Sequence, residues 1–172
     1  MPPPIRDLGE VAVTGHRPQG LDDDFSMTSP LWEWIAAHLD RYLWRATRLR
    51  CGMALGVDLL AAERAMLMEV PFDAYLPCEG QAERWGPDSR RRYARVLASA
   101  ERRILVSEGP CAPWKMHARN EAMLTGAGDS PLADALISVW TGKRSGGTYH
   151  ATMRAETLGV QVLRIDPSPW LG

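Results

Sequence analysis

Four short segments hold most of the residues that could do chemistry, and each joins glycine to charged or hydroxyl-bearing side chains. Thr14-Gly15-His16-Arg17-Pro18 offers a tight turn, an imidazole and a guanidinium. Gly52-Met53-Ala54-Leu55-Gly56-Val57-Asp58 sets a turn between two glycines and ends on a carboxylate. In Pro113-Trp114-Lys115-Met116-His117-Ala118-Arg119-Asn120, Lys115 and Arg119 stand four apart and share one face of a helix, as do Met116 and Asn120. The fourth segment, Trp140-Thr141-Gly142-Lys143-Arg144-Ser145-Gly146-Gly147-Thr148, carries the strongest signal. Glycines let the backbone approach phosphate oxygens with no Cβ in the way. The free N–H groups and the dipole of a following helix then attract the negative charge. Thr148 adds a hydroxyl donor, and Lys143 or Arg144 a counter-charge.

Each segment also has a plainer reading. Arg17 can be a solvated loop cation. Asp58 can be an ordinary first-turn carboxylate, favoured there by the helix dipole, as well as an acceptor for ribose hydroxyls. Lys115 and Arg119 can form a solvent-exposed basic stripe, and His117 reads more readily as structural than as catalytic. The glycine-rich segments match neither the Gly-x-Gly-x-x-Gly dinucleotide fingerprint nor the Walker A spacing, in which Lys follows the glycines.

The elements around these segments decide between the readings. Strand-length apolar runs at 11–15, 49–52, 72–76, 103–107, 135–140 and 160–165 alternate with helical patterns at 31–47, 57–69, 88–100, 114–124 and 147–158. The run at 135–140 is nearly continuously apolar, as in a strand buried on both faces. Alternation of this kind predicts an α/β, Rossmann-like three-layer sandwich with a mostly parallel sheet. One domain over 1–172 is expected from length and uniform composition, with 167–172 as a tail. In such sheets ligands bind beyond the carboxyl ends of the strands, where all four segments fall. Trp85 follows the third strand and can stack on a base or anchor a loop.

Composition narrows the function classes. Of 172 residues, 45% are hydrophobic and 24% charged, with net charge −1, which argues against a broad nucleic-acid footprint. The Arg90-Arg91-Arg92 run reads as a solvated helix face, and no strip interleaving aromatic and basic residues is visible in the linear sequence. Cys51, Cys78 and Cys111 are too few and too scattered for a disulfide framework or a zinc site, and read as small apolar residues or inert thiols in a reducing compartment. Trp32, Trp34 and Trp44 read as core or a self-association face. Asp22, Asp23 and Asp24 read as a solvated loop, and neither a metal site nor a cofactor is expected. No apolar run suits a signal peptide or a membrane span, so a cytoplasmic protein is expected.

Taken together, the four blocks resemble the SLOG superfamily, which includes lonely-guy-type phosphoribohydrolases, DNA-processing protein A and the YpsA-like (DUF1273) group; the opening Val13 to Pro18 is most similar to the last. The resemblance implies a Rossmann-like nucleotide pocket built from Thr14, Gly15, His16, Arg17, Gly52, Gly56, Asp58, Trp85, Arg119, Asn120, Ser145, Gly146, Gly147 and Thr148. It also implies ligands of the nucleotide or ADP-ribose type and self-association into a dimer. Lonely-guy enzymes carry a catalytic Glu three residues after the Thr of their glycine motif; here that position is Ala151, and Asn120 stands for a Lys. N-glycosidic cleavage builds an oxocarbenium-like charge that a carboxylate near the ribose stabilises, and alanine cannot. The pattern therefore favours binding, as in a sensor, over hydrolysis. A phosphoribohydrolase using Asp58 and Arg119 is the first alternative and a single-stranded-DNA-binding protein the second.

Overall fold

The computed structural model describes residues 2–172. β1 (Gly9–Gly15) leads through a 3-10 turn (Pro18–Gly20) into α1 (Pro30–Leu43). Then follow β2 (Ala46–Cys51), α2 (Val57–Leu67), β3 (Phe72–Leu76), α3 (Pro87–Ala98) and β4 (Arg102–Leu105). The second half comprises α4 (Pro113–Thr125), β5 (Ala135–Val139), α5 (Gly147–Leu158) and β6 (Gln161–Ile165). The six strands form one sheet in the order β4-β3-β2-β1-β5-β6, and every pairing is parallel. This is the Rossmann-like α/β architecture that the alternation predicts.

Strand order dictates the layers. β1 to β4 step outward in one direction, while β5 and β6 step outward in the other. Right-handed crossovers then put their helices on opposite faces. On one face α1 packs on α2 and α2 on α3. There Trp32, Ile35, Leu39, Leu49, Leu59 and Phe72 build the larger core. On the other face α4 packs on α5 over Ala12, Tyr75 and Leu136. All five residues of β5 are buried, as its apolar run requires.

Charge also crosses the sheet. Arg50, fully buried, donates to Glu10 Oε2 at 2.8 Å and to the carbonyls of Met123 and Pro131 at 2.9 and 2.6 Å. Asp73, equally buried, accepts from Arg48 at 2.9 Å and Arg102 at 2.8 Å. Glu10 lies opposite Arg48, and Asp73 lies opposite Arg50 on one side and Arg102 on the other. These pairs fix the register of β1 to β4, because a one-residue slip would strand buried charges.

Several expectations are corrected. The helix expected over 31–47 stops at Leu43, and β2 begins at Ala46. Leu43 and Ala46 are both fully buried at a spacing that also reads as one more helical turn, but Ala46 pairs with Gly9 in the sheet. The tail at 167–172 is docked: Ser168–Trp170 forms a 3-10 turn and the Trp170 ring lies 6.2 Å from Trp34. The aspartate loop is exposed at Asp22 and Asp23, as expected, but it is also a hydrogen-bonding hub. Asp24 is held down to about 2 by the Ser26 hydroxyl and by the N–H groups of Thr28, Ser29 and Ser26. Asp22 accepts from the indole N–H of buried Trp32 at 2.8 Å. The arginine helix is solvated at Arg90 and Arg91, as expected, and tethered at Arg92, whose Nε donates to Glu63 of α2 at 2.7 Å.

The cysteines are corrected most sharply. Cys78, just after β3, and Cys111, just before α4, form a disulfide with Cα atoms 5.0 Å apart. Sequence spacing hides the pairing, because only the parallel return of β4 beside β3 brings the two segments together. Cys51 alone remains a buried free thiol. An inert thiol is therefore the right description for one cysteine of three, and the inference to a reducing compartment loses its basis. No helix among the described residues is long and apolar enough to cross a membrane.

The disulfide closes a loop with a sequence separation of 33. Cys111→Ser is expected to lower stability by about 3–4 kcal/mol through the restored freedom of the unfolded chain, read as the shift in the denaturant midpoint. Thiol titration of the unreduced, denatured protein should find one free cysteine; three would show the bond to be absent.

Candidate functional site

The strand order reverses at β1, whose neighbours β2 and β5 feed connections leaving in opposite directions. The loops after β1 and β5 therefore part and leave a crevice, the usual ligand position in an open parallel sheet. The crevice here has a volume of about 390 Å³, within the range of small-molecule sites. It is walled by Thr14 to Arg17 after β1, by Asp58 of α2, by Met116 to Asn120 on α4, and by Lys143 and Ser145 to Thr148 after β5.

The α5 wall is the phosphate-type cradle. Gly146 precedes the helix with φ +90°, a left-handed conformation that favours glycine, and open space surrounds it. No side chain caps this helix start, so the first N–H groups have no partner within the helix and face an incoming anion. Thr148 is buried beside them, and its carbonyl accepts from Thr152 at 2.7 Å.

The second glycine segment behaves differently. At Gly56 (φ +108°) a Cβ would stand 2.5 Å from the His16 carbonyl, and that carbonyl accepts from the Val57 N–H at 3.3 Å. Asp58 accepts from the Ala54 N–H at 3.2 Å. At the start of α2 the Val57 and Leu59 N–H groups are thus taken by the carbonyls of His16 and Ala54, and are not free for a ligand as the spacing suggested. Met53 between the glycines is held at φ +62° and is fully buried, a non-glycine left-handed conformation that costs energy and tends to mark functional loops.

At the floor lie two buried charges. Arg119 donates to the Gly52 carbonyl and to Asn120 Oδ1 at 2.9 Å. Gly52 is glycine because a Cβ would meet that guanidinium at 2.5 Å. Burial pushes Arg119 below its ordinary value, with Asp58 opposing the shift; a guanidinium starts so high that it keeps its proton. Burial pushes the Asp58 carboxyl up, against the pull of Arg119, the Ala54 N–H and Arg17. At the mouth Arg17 and Lys143 are exposed, and neither has a carboxylate partner at ion-pair distance among the described residues. The crevice therefore holds three cations and one carboxylate.

His16 stitches the walls together. Its Nε2 accepts from the Thr141 N–H at 3.2 Å while its carbonyl takes Val57. Accepting at Nε2 requires the neutral ring. Burial, and then Lys143, push its pKa below the ordinary histidine value, consistent with that state. His16 positions the crevice more than it contacts an anion.

Of the residues expected to bind ligand, Thr14, Gly15, His16, Arg17, Asp58, Arg119, Asn120, Ser145, Gly146, Gly147 and Thr148 line the crevice together. Gly52 and Gly56 lie behind it as spacers. Trp85 is elsewhere: its ring packs edge-on against Tyr93 at 5.4 Å, so it anchors a loop. Lys115 does not form an exposed stripe with Arg119; it is buried and donates to the carbonyls of Glu108 and Pro110, at 2.5 and 2.7 Å. Ala54, Pro113, Met116 and His117 also line the crevice; their place after a strand or in the first turns of a helix was the signal available. Ala151 is buried away from it, and Glu156 is exposed two turns along α5.

One feature read as absent from the sequence is carried by 140–150, and the fold adds a fourth ring to it. Rings follow one another beside the crevice: Trp140 to Tyr149 at 6.0 Å, Tyr149 to His150 at 5.5 Å, and His150 to His117, which lines the crevice, at 5.1 Å. Lys143 and Arg144 stand in the same segment as three of these rings.

No protein-family model and no curated protein matches the chain. Solved structures do. DNA processing protein A from Streptococcus pneumoniae is 17% identical with TM-score 0.61, over 92% of this chain and 51% of that one. The chain thus spans about half the length of that relative. DNA processing protein A from Helicobacter pylori, solved for its single-stranded DNA binding mode, is 16% identical with TM-score 0.62, over 94% and 70%. TM1055, a structural genomics target, is 20% identical with TM-score 0.55, over 90% and 72%.

The His16 bond carries a pH signature. Because its folded pKa lies below the unfolded value, its contribution is full above about pH 6.5 and is lost as pH falls through the interval between the two. Melting temperature should decline from pH 7 to pH 5, and His16→Gln should flatten that decline; identical slopes would remove His16 from this role. At the level of fold, the chain is similar to DNA processing protein A and TM1055, in agreement with the SLOG resemblance of its four motif blocks.

Proposed function

We propose that the crevice binds a nucleotide through its phosphate, with ADP-ribose-type compounds among the candidate ligands, and that it holds the ligand without cleaving it. The observation that carries this is the convergence of the uncapped α5 start with Arg17, Lys143 and Arg119 on one crevice. A phosphate compensates those cations, and Asp58 accepts a ribose hydroxyl. Hydrolysis is disfavoured because Ala151 offers no carboxylate and Asp58 is the sole acidic residue lining the crevice.

A single strand of nucleic acid presents the same phosphate. The aromatic rim and the fold shared with a single-stranded-DNA-binding protein favour it as the second reading. The overall charge of −1 restricts such contact to the crevice and its rim.

At a hundredfold excess over its dissociation constant, a bound nucleotide should stabilise the protein by about 2.7 kcal/mol, about 5–10 °C in melting temperature for a chain of this size. Lys143→Ala should weaken binding roughly tenfold, as expected for a charge-assisted contact. Absence of a shift with AMP, ADP, ATP and ADP-ribose would reject the reading. Release of free base, abolished in Asp58→Asn, would replace it by hydrolysis. Affinity for an oligonucleotide that falls steeply between two salt concentrations, without nucleotide binding, would favour the single strand.

A further inference from the structure

The crevice does not end at the phosphate cradle. On the other side of His117 and Asn120, which line both, lies a furrow of about 270 Å³ between α4 and α5, lined further by Glu121, His150, Ala151 and Arg154. Ala151, nearly fully buried, contributes only a methyl group to its lining. The far side is closed by Arg154, whose guanidinium is held in two hydrogen bonds of 2.8 Å by Glu121. Along the rim stand the rings of His117 and His150, centroids 5.1 Å apart and nearly perpendicular. Both side chains are exposed. At the other end of the row Arg164 lies 4.8 Å over Trp140 and covers one of its faces. The row is therefore anchored at Trp140 and open at the two histidines.

Exposed aromatic faces beside a phosphate site suit a nucleobase, because every base presents a π-face for stacking. A mononucleotide seated by its phosphate on Gly147 and Thr148 would leave this furrow empty. We propose that the furrow is a second subsite, in which a second nucleobase of the same ligand stacks on His150 and His117. The inference rests on the nucleotide reading above and extends it: the ligand is a nucleotide joined through phosphate to another. A free dinucleotide and a single strand both carry that unit.

Affinities of AMP, the 5′-phosphorylated dinucleotide pApA and the octanucleotide pA8 would be measured with the intact protein, its His150→Ala and its His150→Phe variants. His150 is exposed, so neither substitution threatens folding. The dinucleotide should bind about 5- to 100-fold more tightly than AMP, the span of one stacked base. His150→Ala should remove most of that gain, and His150→Phe should restore it. Affinity that stops rising at two bases identifies the free dinucleotide as the source; a further rise to pA8 identifies the single strand. Equal affinity for AMP and pApA, or a gain that survives His150→Ala, overturns the second subsite while leaving the nucleotide reading intact. Binding of pApA that needs His150, without any AMP binding, supports the subsite and removes the mononucleotide reading. Failure of all three ligands overturns the second subsite, and failure of ADP, ATP and ADP-ribose as well overturns the nucleotide reading.

Discussion

β1 must hydrogen-bond on both sides, to β2 and to β5, and much of the architecture follows from that demand. A strand in this position has to be apolar on both faces, and Val11, Ala12 and Val13 are fully buried. Its two neighbours must lead their helices to opposite layers. The chain then has no option but to leave a gap where the loops after β1 and β5 diverge. The glycine at the end of β1 lets α2 approach so closely that the Val57 side chain occupies the space a Cβ would need. That approach brings the His16 carbonyl onto the start of α2, and the His16 ring onto the loop after β5.

The two glycine-rich helix starts show how similar local chemistry can be put to different ends. The start of α2 and the start of α5 both offer unpaired N–H groups by construction. α2 lies beneath the β1 loop, so the carbonyls of His16 and Ala54 take its Val57 and Leu59 donors. α5 begins on the open side, with Gly146 surrounded by empty space. Position in the sheet, more than glycine content, separates a structural cap from a ligand site. The charges repeat the lesson: Lys115 is spent on two carbonyls, while Arg119 four residues on reaches the crevice floor.

The order of elements, the parallel sheet and the four loops were legible because each depends on short-range periodicity and on glycine placement. The apolar run of β5 and the spacing within α2 and α5 carry that signal directly. What was not legible depends on contacts between distant segments. Cys78 meets Cys111 only because β4 returns beside β3. From its place after β3, Trp85 could stack on a base or anchor a loop, and only its packing against Tyr93 of α3 decides for the anchor. The aromatic row was legible in part, since Trp140, Tyr149 and His150 share the segment 140–150, while His117 joins it only because α4 packs beside α5. The end of α1 failed for another reason, since Leu43 and Ala46 satisfy helix and strand spacing alike.

The covalent ring closed by Cys78 and Cys111 encloses all of α3 and β4. β4 is an edge strand, and its residues are largely exposed. Edge strands are where chains peel away, exchange between molecules or recruit foreign strands. Because this strand lies inside the ring, the distance it can peel from the sheet is limited by the two bridged cysteines while the bond is intact. A protease that cut the ring once would leave the two pieces joined. The bridge thus guards the open flank of the sheet on the side away from the crevice, and a nick there goes unnoticed until the bond is reduced.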